Sequence, residues 1–227
     1  MSDKTTGGRP GNLTPQTRSF VGRGEELGLL EAELDPGIGI DRLVSLVGAG
    51  GVGKTGLALR AAGRAEHHYP DGVWLVELSP LHTAGLVGLA VVEALGLSDR
   101  STRPVPEILA AWAAGKRLLL VLDSCEHVLA DCVSFAEALL PLLPGLRVLV
   151  TSREPLGLPG ERVLRLDPLP VADDAVALFA DRAADAGRTL DAADRPAVEA
   201  VCRRLDGIPL ALELAAARLV DLTLDQL

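Results

Sequence analysis

The stretch Arg42–Leu59, RLVSLVGAGGVGKTGLAL, leaves the chain few folding options. An apolar run without alternation (Leu43, Val44, Leu46, Val47) reads as a strand buried on both faces, and a helix-forming run follows the glycines. Between them Gly48, Gly53, Lys54 and Thr55 meet the pattern G-x-x-x-x-G-K-[ST]. Glycines let backbone N–H groups turn inward around phosphate oxygens, and a helix starting at about Gly53 adds its unpaired N–H groups and the positive end of its dipole. The residues expected to line a phosphate are Gly48, Gly50, Gly51, Val52, Gly53, Lys54, Thr55 and Gly56. Lys54 would supply a point charge to the terminal phosphates, and the Thr55 hydroxyl a ligand to Mg²⁺.

The rest of the chain narrows the setting. Its 227 residues suffice for one full core plus a small appendage. Aromatic residues are only 3% of the chain, so the core must be built from Leu, Val and Ala. Net charge is -9 and no Lys/Arg cluster exceeds a pair, so no direct nucleic-acid contact is expected from this segment. No apolar run approaches the ~20 residues of a membrane span, and Met1–Phe20 lacks a signal-peptide core, which predicts a cytoplasmic address without membrane contact. Cys125, Cys132 and Cys202 lack C-x-x-C pairing and are expected to be buried thiols.

Residues 1–18, rich in Gly, Pro and Thr, are expected to be a flexible lead. Helices are predicted from Phe20–Leu27 through Leu34, over Lys54–His68, Ala84–Leu95, Glu107–Ala114 (Pro106 at its first turn) and Asp131–Leu140. The loop Ser98–Val105 separates the third from the fourth. A second buried strand is predicted at Val73–Leu78, a continuous apolar strand at Arg117–Asp123, a strand ending in polar residues at Arg147–Arg153 and a short fifth strand at Val163–Leu166, in addition to the one before the loop. Beyond Asp167 the alternation ceases, and three helical patterns follow at Asp173–Ala186, Pro196–Leu205 and Pro209–Val220. This predicts an α/β fold: a parallel five-stranded sheet with helices on both faces over residues 19–167, then a small all-α helical subdomain over 168–227. Ligands of such sheets bind at the carboxyl ends of the strands, where Asp123 and Thr151–Arg153 would join the phosphate loop. Asp123 has the form of an acid that holds Mg²⁺ beside such a loop.

These residues resemble a family. Phe20-Val-Gly-Arg23, the loop, Leu122-Asp-Ser-Cys-Glu-His127, Thr151-Ser-Arg-Glu-Pro155 and Gly207-Ile-Pro-Leu-Ala-Leu212 stand in the order of the signal-transducing ATPases with numerous domains. The chain is most similar to the NB-ARC module of bacterial transcriptional regulators, related to apoptotic-protease activators and plant resistance proteins. The resemblance implies a P-loop NTPase that binds ATP or ADP with Mg²⁺ held by Thr55 and Asp123, and self-associates in the ATP state. It implies that Val21 and Arg23 lie along the adenine, that Pro209 packs on the base, and that Arg153 reaches the γ-phosphate and distinguishes ATP from ADP, completing with Lys54 and Asp123 the expected catalytic set. Two departures stand out: Gly24 intervenes before Glu25, and the position after Asp123, often an acid or Asn in relatives, is Ser124. Serine is a poor general base, so hydrolysis is expected to be slow, with Glu126 as an alternative base. The output is therefore expected to be a nucleotide-controlled switch, set against a hydrolysing enzyme and a scaffold with a vestigial site. The sequence stops where the family continues into a winged-helix domain and sensor repeats, so a truncated or minimal form is expected.

Other polar and aromatic candidates have blander readings. His67 and His68 are expected to serve a helix end, His127 to pack or hydrogen-bond, and His82 stands in a loop. Trp74 and Trp112 are expected in the core, and Arg203 and Arg204 as a solvated pair.

Overall fold

The computed structural model describes residues 10–16, 18–81, 83, 85–98 and 103–227. His82, Ala84 and most of the predicted loop after Ser98 lie outside the described residues. The chain forms two compact units.

The first unit contains Leu27–Val47 and Thr55–Arg165, with residues 10–16. Its five strands are β1 (Leu43–Val47), β2 (Val73–Glu77), β3 (Leu118–Asp123), β4 (Leu146–Ser152) and β5 (Glu161–Arg165). They form one parallel sheet in the order β2-β3-β4-β1-β5. Leu43, Val76, Leu118, Leu120, Leu122, Val148 and Val150 face one core with α3 (Val87–Ala94), α4 (Val105–Ala113) and α5 (Leu129–Leu139). The intervening residues Val44, Leu46, Leu119, Val121 and Leu149 are equally buried, so both faces are covered. On that second side Arg147 of β4 donates to the carbonyls of Glu33 and Gly39, at and just beyond the end of α1 (Gly24–Leu34). The Arg64–Glu31 ion pair, 2.8 Å, ties α1 to α2 (Lys54–Ala65). Burial on two faces explains why these strands read as unbroken apolar runs.

Of the lead expected to be flexible, residues 1–9 and 17 lie outside the described residues, and Gly11 and Asn12 are held against β2. Gly11 forms a parallel bridge to Val73, and the Asn12 side chain accepts from the Leu75 N–H (2.6 Å) and donates to the Leu75 carbonyl (2.8 Å). The outer edge of β2 is thereby occupied, which removes an exposed pairing edge.

The second unit groups residues 18–26 and Gly48–Lys54 with Leu166–Leu227. Its core joins Leu178 and Phe179 of α6 (Asp174–Asp185), Val198 and Cys202 of α7 (Arg195–Arg204), and Leu212 and Ala216 of α8 (Pro209–Ala217), with Val21 packed against them. Pro196 and Pro209 open their helices, where a missing N–H leaves no bond unmade. Helix α8 tightens into a 3₁₀ turn at Arg218–Val220 instead of running on as α-helix. The segment before α1 is pinned by Arg182, only 7% exposed, which donates to Ser19 Oγ (2.7 Å) and the Ser19 carbonyl (3.1 Å) and pairs with Glu213 (3.0 Å). By contacts, the motif around Val21–Arg23 and the glycine loop share a unit with the all-α segment.

Candidate functional site

Within the first unit, three strand-end or helix-start side chains converge. Because β4 lies between β1 and β3, its carboxyl end places Thr151 next to Asp123. Asp123 Oδ1 accepts from Thr55 Oγ1 at 2.7 Å and from Thr151 Oγ1 at 2.6 Å. Thr151 Oγ1 in turn accepts from the Ser124 N–H at 2.9 Å. Asp123 is 8% exposed, so its charge is held by hydrogen bonds more than by water. The sequence placed Thr151 at this edge but gave it no role; only the strand order reveals its bond to Asp123.

Ser124 adopts a left-handed backbone (φ 64°), and its Oγ donates to Asp123 Oδ2 at 3.2 Å. The turn leads into a 3₁₀ segment, Cys125–His127, where His127 Nε2–H donates to the Leu78 carbonyl at 2.8 Å. His127 is therefore a hydrogen-bonding strut. A hydrogen bond with Cys132, and after it burial, push the Cys125 thiol far above its usual range, so it stays protonated. Glu126 faces Arg153 at 3.5 Å while its other carboxylate oxygen is buried without a hydrogen-bond partner. Arg153 is 67% exposed at this ion pair.

In the second unit the glycine loop is held through its carbonyls. Lys54 Nζ donates to those of Gly48 and Ala49, each at 2.9 Å. The Leu210 N–H, in the first turn of α8, donates to Gly51 at 3.1 Å. Arg23 Nη2 donates to Val52 at 3.2 Å and to Asp167 at 2.5 Å, while Nη1 pairs with Glu26 at 2.9 Å. The Arg23 side chain, expected beside a base, is 6% exposed and committed to these partners. Pro209 lies near Gly53: a Cβ on Gly53 would stand 3.9 Å from its Cγ. The Gly207-Ile-Pro209 turn needs its glycine, because φ is +64° and a Cβ would sit 2.2 Å from the Leu169 carbonyl oxygen.

The donor set suits Mg²⁺: a hydroxyl and a carboxylate are hard oxygen ligands. Among the described residues no group of three or more His, Cys, Asp or Glu could hold a metal by itself. An ion at Thr55 and Asp123 would therefore need phosphate oxygens to complete its shell, as Mg²⁺ commonly does.

A parallel sheet in this order, with a glycine loop after β1 and an acid ending β3, defines a P-loop NTPase fold. The structure of the Walker-type ATPase PABY2304 of Pyrococcus abyssi superposes with a TM-score of 0.65 at 18% identity, over 95% of this chain and 73% of that one. A tetratricopeptide-bearing signal transduction ATPase with numerous domains, PH0952 of Pyrococcus horikoshii, gives a TM-score of 0.54 at 18% identity, over 90% of this chain and 31% of that one. Residues 26–155 match the NB-ARC domain, and the chain belongs to that family. Among its relatives is a provisionally named HTH-type transcriptional regulator of Mycobacterium tuberculosis, Rv0890c, 44% identical over 78% of this chain and 20% of the relative. The regulatory protein AfsR of Streptomyces griseus is 33% identical over 93% of this chain and 22% of its own. The chain thus spans about a fifth of the length of these regulators.

Proposed function

We propose that this NB-ARC chain is an ATP/ADP-binding switch module of a transcriptional regulator, with slow Mg²⁺-dependent hydrolysis and rearrangement or self-association governed by the bound nucleotide. The observation that carries the reading is the direct bonding of Thr55 and Thr151 to one oxygen of Asp123, which presets the hydroxyl and the acid of a Mg²⁺–phosphate site. When bound, Mg²⁺ would neutralise charge on the terminal phosphates. The chain's own part is to orient. Lys54, now bonded to loop carbonyls, would exchange them for phosphate oxygens, and the loop N–H groups would receive the others. Val21 and Pro209 would pack on the adenine. Arg153 would leave Glu126 for the γ-phosphate, distinguishing ATP from ADP. Relatives that are regulators support the setting, and the bonded Ser124 hydroxyl supports occupancy over turnover.

The test begins with the purified chain, denatured and chromatographed to identify any retained nucleotide, followed by calorimetry with ATP and ADP at millimolar Mg²⁺. Stoichiometric adenine nucleotide and loss of binding in Lys54→Ala are expected. Absence of binding, together with an unaffected Lys54→Ala variant, would end the proposal. Robust phosphate release abolished by Asp123→Ala would replace the switch with an enzyme.

A further inference from the structure

Peptide planarity makes the clamps on the glycine loop directional. No cis peptide occurs among the described residues, so each loop N–H points opposite to the carbonyl of its own peptide unit. The Leu210 N–H holds the Gly51 carbonyl and so aims the Val52 N–H the other way. Arg23 holds the Val52 carbonyl and so aims the Gly53 N–H the other way. The same Nη2 reaches the Asp167 carbonyl, and Glu26 takes Nη1. This fork of fixed donors bridges acceptors that are far apart in sequence, and a lysine point donor could not reproduce it. The approach is built into the backbone: Gly22 at φ +71° and Arg23 at φ +62° make consecutive left-handed steps that turn the side chain inward. A non-glycine residue in that region is strained and persists where its surroundings hold it.

We infer that Arg23 is a positioning residue of the phosphate loop, acting through the Val52 carbonyl, and that it does not contact the base. The inference rests on the nucleotide-binding reading and deepens it. Arg23 serves the phosphates of any nucleotide alike, and discrimination of the base belongs to other residues.

The test uses the full chain with Arg23→Gln and Arg23→Lys, two ligands (ATP and inorganic pyrophosphate, both with Mg²⁺), and amide NMR of the ligand-free protein. A charge-assisted hydrogen bond of this kind corresponds to roughly tenfold in affinity or more. Arg23→Gln is expected to weaken ATP and pyrophosphate by similar factors of about tenfold, with Arg23→Lys between it and the wild type. The Gly53 amide signal is expected to shift in the ligand-free variants. Should Arg23→Gln fail to fold, Arg23→Lys carries both comparisons. Loss of ATP binding with pyrophosphate unchanged would make Arg23 a base contact and overturn the inference, as would an unmoved Gly53 amide. A wild type that binds neither ligand, while the Gly53 amide moves in the variants, would instead retire the nucleotide reading and leave the clamp standing.

Discussion

Thr151→Val tests whether the Asp123 cluster is as tightly built as its geometry implies. The substitution keeps shape and removes one hydroxyl. It deletes a 2.6 Å charge-assisted bond to a carboxylate that is 8% exposed. Such bonds contribute about 1.5–3 kcal/mol. It also strips the part-buried Ser124 N–H of its acceptor, and an orphaned donor costs at least about 1 kcal/mol. The methyl that replaces the hydroxyl returns about 0.8 kcal/mol of apolar burial. The expected net loss is therefore about 3 kcal/mol. Urea unfolding followed by tryptophan fluorescence is the suitable assay, because Trp74 and Trp112 both lie in the first unit, edge to face at 6.3 Å. With a slope of about 2 kcal/mol per molar, the midpoint should fall by roughly 1.5 M. Thr55→Val removes the second donor to the same oxygen, so the double variant should be non-additive by at least about 0.5 kcal/mol. A midpoint shift under about 0.3 M in Thr151→Val would refute the reasoning, since it would mean that water serves the carboxylate as well as the hydroxyls do.

Gly51→Ala places a Cβ 3.0 Å from Leu210 Cβ at φ +75°, and should cost about 1–2 kcal/mol in thermal or chemical denaturation while weakening ATP binding in calorimetry. Unchanged affinity would show that α8 does not constrain the loop. Burial raises the Tyr69 hydroxyl from its ordinary value of 10 to about 12. The unfolded chain therefore releases this proton first, so stability present below pH 10 is lost as pH rises toward 12, by up to about 2–3 kcal/mol. Tyr69→Phe should flatten that alkaline decline, and parallel pH profiles for the two proteins would contradict it. Ser124→Asp keeps a left-handed position that aspartate tolerates and restores an acid beside Asp123; phosphate release should rise about a hundredfold if a missing base limits turnover. An unchanged rate would place the limit elsewhere.

The sequence was most legible where burial is simplest. The apolar runs that became β1, β3 and β4 were plain because strands covered on both faces carry no alternation to mislead the reading, and Pro106, Pro196 and Pro209 marked helix starts to within a residue or two. Strand order was not legible. It is fixed by pairings such as Leu43 with Val148, more than a hundred residues apart, and without it the Thr151–Asp123 bond is invisible. The same applies to Arg182, which reaches back to Ser19, and to Arg23, which bonds the Val52 and Asp167 carbonyls and the Glu26 carboxylate. Periodicity reports which face of an element is buried; it carries no information on which distant acceptor a guanidinium finds.

Ser124 shows how the cluster bears on the choice between turnover and occupancy. Its N–H is given to Thr151 and its hydroxyl to Asp123 Oδ2, so the proton on Oγ points at the carboxylate, and a neutral serine hydroxyl is a poor base for water. The nearest other carboxylate in the segment, Glu126, has one oxygen buried without a partner and the other 3.5 Å from Arg153. In the proposed mechanism Arg153 is drawn to the γ-phosphate, so the step that recruits the arginine also breaks its ion pair with the candidate base. Under that proposal, binding of the γ-phosphate and release of Glu126 are a single event. Hydrolysis would further need Glu126 to reach a water from a 3₁₀ turn whose His127 is bonded to the Leu78 carbonyl. Within the proposed reading, that added requirement supports occupancy over turnover.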